Sequence, residues 1–421
     1  MPDPKSKNRQ GIVIGVALVL RTALVSFALV HFGPAWFFSR GSEMGLLADA
    51  LLHGAGLSSP FGVPTGPTAI VAPGYPLLVS GVFRAFGSYT QASALCLMLL
   101  NAACNCATVA FIYRLGRQIA TESMAFAAAL FWACSLPLLW MPTIFWETSI
   151  STMLLIGMIS VMQSVRPNGS VALWWLCGGV LGLAGLLNPA LLLSLFAVVG
   201  YTFVQTAAPS KSGQNLAACV AGFVLVYSPW PLRNATTFHA CVLTRTTVGL
   251  ELWMGNRPGA TGFLEPSIFP TYNKAELAEY RQVGELGYMA HKGQLAHAFI
   301  QAHPIEFLRL SGQRAFRFWT GTGTRHGSSL FGLHAAISSL LGCSGLYLLW
   351  RDGQKEICLA IALPLVLFPL PYYITHAEFR YRLVLDPVLM ALGAKCLDTL
   401  MARLRKTREK AAIHHAPVLT A

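Results

Sequence analysis

The stretch "TQASALCLMLLNAACNCATVAFIY", Thr90 to Tyr113, contains no charged side chain. A helix crosses a hydrocarbon core of roughly 30 Å with roughly 20 mostly apolar residues, so this stretch reads as a membrane span. Comparable runs recur along the chain, at 11–32, 90–113, 119–138, 148–164, 171–187, 190–206, 215–232, 329–350, 356–374 and 384–401. Composition agrees: of 421 residues, 54% are apolar and only 11% charged, and the mean hydropathy is +0.55. The expected fold class is an all-α polytopic integral membrane protein with about ten transmembrane helices.

Orientation follows from the placement of Lys and Arg in the short connections. Lys5, Lys7, Arg9, Arg114, Arg117, Arg166, Lys211, Arg351, Lys355, Arg403, Arg405, Lys406, Arg408 and Lys410 fall on one side under this count. That side is expected to be the cytoplasm, with both termini there, in a bacterial inner (plasma) membrane. The outer (periplasmic) face then receives four segments: 33–89, a turn at 139–147, a long loop at 233–328, and 375–383. The domains expected are an N-terminal transmembrane module (1–232, including the first outer loop 33–89), an outer loop region (233–328), C-terminal transmembrane helices (329–401) and a basic cytoplasmic tail (402–421). The first span is expected to remain as an anchor, because no small-residue cleavage site follows it.

The formal net charge of +13 is accounted for by the loop asymmetry and anionic headgroups, so no nucleic-acid partner is expected. Of ten cysteines, only Cys241 lies outside an expected span. A disulfide framework needs pairs in the oxidising compartment, so the others read as small buried apolar residues. The "CNC" at 104–106 is too tightly spaced on a helix for tetrahedral metal ligation.

Chemistry is expected where polar groups gather beside the bilayer. In the first outer segment, Met44, Leu47 and Leu51 mark a short amphipathic helix capped by Ser42, followed by a Gly-, Pro- and Ser-rich loop. Its early acid, Glu43, is either a helix-start carboxylate or a general base. A second isolated acid, Glu147, stands between Trp146 and Thr148 at the start of a span, where a carboxylate needs a partner or a role. Together the two acids suit proton abstraction or a divalent cation, the one cofactor the pattern suggests. In the long loop, Arg233 and Asn234 follow Trp230, and "GNRPGATG" supplies Asn256 and Arg257 just after Trp253. The run 274–319 has helical spacing and is expected to form two or three helices on the bilayer surface.

The last outer segment, "THAEFRYRLVLDP", gathers His376, Glu378, Arg380 and Arg382. If extended, these four share one face; if helical, Glu378 and Arg382 pair at i,i+4. Arginine suits bidentate grip of a phosphate, and the alternative is contact with lipid headgroups.

"RNATTFHACVLTRTTVGLELWMGNRPGATG", "LSSPFGVPTGPTAIVAPGYPLLVSGVFRAFG" and "HAEFRYRLVLDP" resemble glycosyltransferase family 39 of the GT-C superfamily, which includes protein O-mannosyltransferases and lipid A aminoarabinose transferases. The resemblance implies a hexosyl- or pentosyltransferase that moves a sugar from a polyprenyl-phosphate donor to a protein, glycan or lipid acceptor on the outer face. It maps the general base onto Glu43, with Ser42 where the family usually has Asp. A second acid maps onto Glu147, and the donor-phosphate ligands onto Arg380 and Arg382. His376 and Arg233 are further phosphate candidates, and Asn234, Trp253, Asn256 and Arg257 a substrate loop. Two other classes stay open: a transporter or flippase, for which Arg21 and "LLNPALLL" are the features to inspect, and an O-antigen ligase or polymerase.

Overall fold

The computed structural model describes residues 4–165, 170–206, 211–321 and 329–414. Arg166, residues 322–328 of the third outer segment and residues 415–421 of the basic tail lie outside them. Among the described residues every regular element is helical, and strand pairing is limited to one bridge between Ser58 and Pro67. The helices are α1 (Pro4–Ser39), α2 (Ser42–Leu52), α3 (Gly74–Phe86), α4 (Gln91–Ile119), α5 (Glu122–Cys134), α6 (Leu136–Leu139), α7 (Thr148–Met162), α8 (Val171–Leu187), α9 (Ala190–Thr206) and α10 (Ser212–Tyr227). They continue as α11 (Pro229–Phe238), α12 (Val248–Gly255), α13 (Lys274–Ala302), α14 (Pro304–Thr320), α15 (Ser329–Arg351), α16 (Lys355–Leu367), α17 (Leu370–Ile374), α18 (Phe379–Leu383) and α19 (Asp386–His414).

All ten expected spans are helical, but fewer qualify as membrane crossings. Among the described residues four helices are long and apolar enough, or up to six if the bent pairs 122–143 and 212–238 each count as one span. The reasons are local. The first pair is bent by 62° at the break before Leu136 and Pro137, the second by 45° before Pro229 and Pro231, where proline removes a backbone donor. Helices α7, α8 and α9 are apolar but short, and α19 carries Asp386, Lys395, Asp398 and Arg403 along its length.

The first outer segment differs from its expectation in two ways. Gly41, not a serine, occupies the N-cap of α2, and no side chain caps it. The chain turns at Arg40, whose carbonyl accepts the Trp146 indole N–H at 3.1 Å, which leaves Ser42 inside the helix. The loop also returns to helix at Gly74 as α3, packed on α2.

Side chains on α4, α5, α7, α9 and α19 bury the main apolar core, including Trp132, Ile156, Leu195 and Leu389. A second cluster, Phe37, Phe38, Tyr75, Phe83 and Phe145, lies beneath the turn that carries Trp146 and Glu147. Helices α8 and α10 approach closely because Gly178 and Gly222 carry no Cβ: one added at either would overlap the backbone carbonyl of Cys219 or Trp175.

Arg21 is fully buried, with Nη1 donating to the Ala133 carbonyl at 3.1 Å and its guanidinium 4.8 Å from the Trp132 ring. It therefore closes the C-terminal end of α5 where that helix breaks.

Gly178→Ala should destabilise the purified protein by about 1–3 kcal/mol, because helix backbones must separate. Gly179→Ala, where the nearest atom stands 3.9 Å from the added carbon, should be neutral or stabilising. Thermal unfolding in detergent reads the difference; equal midpoints would show that close α8–α10 contact does not matter.

Candidate active site

The chain leading into the charged segment 376–382 and the loop before α3 are each held in place by a buried keystone. Arg314 on α14, fully buried, donates from Nε to the Tyr373 carbonyl at 2.7 Å, from Nη1 to the Gly255 carbonyl at 2.6 Å, and from Nη2 to Asn256 Oδ1 at 3.1 Å. Asn256 in turn donates to the Leu252 and Ile374 carbonyls at 2.9 and 2.8 Å. Gly255 meets the Thr375 carbonyl so closely that any Cβ would collide with it. The end of α12 is thereby locked against the segment that follows α17.

The second keystone is Glu285, which follows the kink of α13 at Gly284. Its carboxylate accepts the Thr68 hydroxyl, the Ala69 N–H at 2.8 Å, the Thr246 hydroxyl at 2.6 Å and the Tyr280 hydroxyl at 2.6 Å. With four donors it is satisfied although buried. It ties the first outer loop to the chain between α11 and α12.

On this frame, Arg380 pairs with Glu378, and its charge acts on three further glutamates. Its guanidinium carbon lies 4.1 Å from the Trp146 ring and 5.0 Å from that of Tyr381, and Nε donates to Glu378 Oε2 at 3.0 Å. Glu43, Glu147 and Glu251 all feel its charge. Burial pushes the Glu43 carboxyl above its ordinary value, with Arg380 opposing. The same holds for Glu147, where Arg245 also opposes more weakly. For Glu251 burial acts upward too, but His376, Arg245 and Arg380 outweigh it and hold the carboxyl below its ordinary value. His376 Nδ1 stands 2.9 Å from Glu251 Oε2, and Nε2 lies 2.8 Å from the Tyr381 hydroxyl. A small open cleft adjoins the cluster, lined by Met44, Tyr75, Trp146, Glu147, Asn188 and Arg245 among others.

The expected residues divide between this cluster and the frame. Glu43, Glu147, His376 and Arg380 come together. Arg382 does not: its side chain is buried in the bundle, pairing with Asp386 and donating to the Ala335 carbonyl at 3.0 Å and to Ser338 and Ser339. Asp386 also meets His334 Nε2 at 2.7 Å. The expected Glu378–Arg382 pair is absent because α18 starts only at Phe379, which leaves Glu378 extended and turned to Arg380. Arg233 donates to the Thr68 and Leu57 carbonyls at 2.9 and 3.0 Å, and Asn234 to the Val242 carbonyl at 3.1 Å. Arg257 pairs with Glu265, and Trp253 packs against the cluster around Leu250 and Tyr280.

Sequence reasoning passed over Arg245, Glu251, Glu285 and Arg314. Glu251 carried a signal, being a lone acid inside "VGLELWMG". As for a divalent cation at Glu43 and Glu147, no three His, Cys, Asp or Glu side chains converge to hold a metal among the described residues.

No family model matches the chain, and no curated sequence does. Solved structures do match in fold. The archaeal oligosaccharyltransferase AglB from Archaeoglobus fulgidus, in complex with an inhibitory peptide and a dolichol-phosphate, aligns over 100% of this chain and 53% of its own, with TM-score 0.56 and 13% identity. The apo Archaeoglobus fulgidus oligosaccharyltransferase aligns over 98% and 53%, with TM-score 0.55 and 15% identity. This chain thus spans about half the length of either. The likeness is one of fold.

Glu285→Ala should loosen the outer frame selectively. Hydrogen exchange is expected to rise at residues 57–72 and 242–247 and to stay unchanged in α8 and α10; a uniform rise would contradict the keystone role.

Proposed function

We propose that the protein is an integral membrane glycosyltransferase that moves a sugar from a polyprenyl-phosphate donor to an acceptor hydroxyl at the outer face of the membrane, in the manner of family 39. The observation that carries this reading is Arg380, held over the Trp146 ring with its charge acting on Glu43 and Glu147, next to an open cleft that Glu147 lines. The fold supports it, and one of the matched oligosaccharyltransferases was solved with a dolichol-phosphate.

In the proposed step the acceptor oxygen attacks the anomeric carbon. The bond from that carbon to the carrier phosphate breaks, and its electron pair stays on the phosphate oxygen. Glu43 and Glu147 carry the proton chemistry, one of them taking the acceptor's hydroxyl proton; Glu147 is the one that lines the pocket. Arg380, already aligned by Glu378 and the two aromatic rings, meets the charge that gathers on the phosphate. Arg382 and His376 act behind it, Arg382 fixing α18 to α19 and His376 bracing Glu251 and Tyr381.

The features that pointed to transport fit this reading better. Arg21 closes a broken helix end, and the Asn188–Pro189 break lines the same pocket as Glu147.

Transfer from a polyprenyl-phosphate sugar by protein reconstituted in lipid nanodiscs tests the reading. Glu43→Gln and Glu147→Gln should each lower turnover, the base by about 100-fold or more; near-normal rates in both would overturn it. A base must be ionised, and burial raises both carboxyls, so kcat/KM should fall with acid above the ordinary glutamate range. Arg380→Gln removes the charge that opposes this rise and should move the acid limb to higher pH. An acid limb that stays put would separate Arg380 from the base.

A further inference from the structure

Arg245 has no role in the scheme so far, and its surroundings give it one. It lies between α11 and α12, where the neighbouring Thr246 is fixed by an N–H to the Ala69 carbonyl at 3.1 Å and by its hydroxyl on Glu285. The backbone is therefore anchored. The side chain is not: among the described residues Arg245 makes no hydrogen bond and no ion pair within 4.0 Å. It nevertheless lines the pocket with Glu147 and Asn188, and its charge acts on Glu147 and Glu251. Asn188, in the turn between α8 and α9, uses Oδ1 to accept the Ala190 N–H at 3.1 Å, which leaves its amide N–H groups without a partner among the described residues. A guanidinium and an amide thus offer donors to one pocket, and the fork of Arg fits an oxyanion.

We propose that Arg245 and Asn188 form a second oxyanion site, separate from Arg380, which takes a phosphate or carboxylate group carried by the acceptor. Arg380 is occupied by Glu378 and its aromatic stack, whereas Arg245 is unpaired, and Glu147 stands under the influence of both arginines. An acceptor held by its acidic group at Arg245 brings a nearby hydroxyl toward Glu147. The inference deepens the glycosyltransferase reading and rests on it only in naming the ligand an acceptor.

Binding measurements on the full chain in neutral-lipid nanodiscs test it, using inorganic phosphate and polyprenyl phosphate as separate probes. Because the Arg245 side chain holds nothing together, Arg245→Ala should fold normally. It should weaken inorganic phosphate by about tenfold or more, the loss of one charge-assisted pair, and leave polyprenyl phosphate unchanged. Asn188→Ala should weaken phosphate less, and Arg245→Lys should restore part of the binding. Undiminished phosphate binding in Arg245→Ala would overturn the site. Equal weakening of polyprenyl phosphate by Arg245→Ala and Arg380→Gln would assign Arg245 to the donor instead and overturn its separateness. If Arg380→Gln leaves polyprenyl phosphate binding intact while Arg245→Ala still loses phosphate, the oxyanion site stands and the donor reading fails.

Discussion

The structure is organised around one guanidinium. A charge beside lipid is costly unless it is matched, and Arg380 is matched on every side: Glu378 along its edge, Trp146 and Tyr381 as aromatic contacts, and Glu43, Glu147 and Glu251 within electrostatic reach. These partners come from four separate parts of the chain, the start of α2, the turn before α7, α12 and the segment before α19. The fold brings them together, and much of it serves to hold them there.

That holding is done by buried polar groups used as backbone anchors. Arg314 fastens the end of α12 to the chain around Tyr373, and Glu285 fastens the first outer loop to the chain beside Arg245. Arg382 and Asp386 fasten α18 to α19 and α15. Each satisfies several backbone or hydroxyl groups at once, so each buried charge is compensated. The cluster around Arg380 differs in kind: burial raises the Glu43 and Glu147 carboxyls instead of satisfying them, and Glu147 lines an open cleft.

Much of this was legible in the sequence for a simple reason: in a chain this apolar, an isolated charge stands out. Glu43, Glu147, His376 and Arg380 were found that way, and the structure gathers them. The same reasoning could not separate Arg380 from Arg382, since that depends on where α18 begins; a helix starting at Phe379 sends the two side chains to opposite surroundings. It also could not show that Arg233 and Asn256 donate to backbone carbonyls or that Arg257 pairs with Glu265, because those partners lie far off in sequence or in a turn without a pattern. Glu251 and Arg245 were hidden by the long outer segment, whose folding back onto the first loop leaves no local pattern. Of the ten expected spans, four to six are long and apolar enough to cross among the described residues; the others are short or, in α19, carry charge, and two of the six are bent at prolines.

The most direct test of the central claim is a structure of the full chain in nanodiscs with polyprenyl phosphate bound. The account predicts the phosphate oxygens within hydrogen-bond reach of the Arg380 guanidinium, with the Glu147 carboxyl facing the pocket beside them. A headgroup bound away from Arg380, or lipid density passing between the helices to the opposite face, would contradict it.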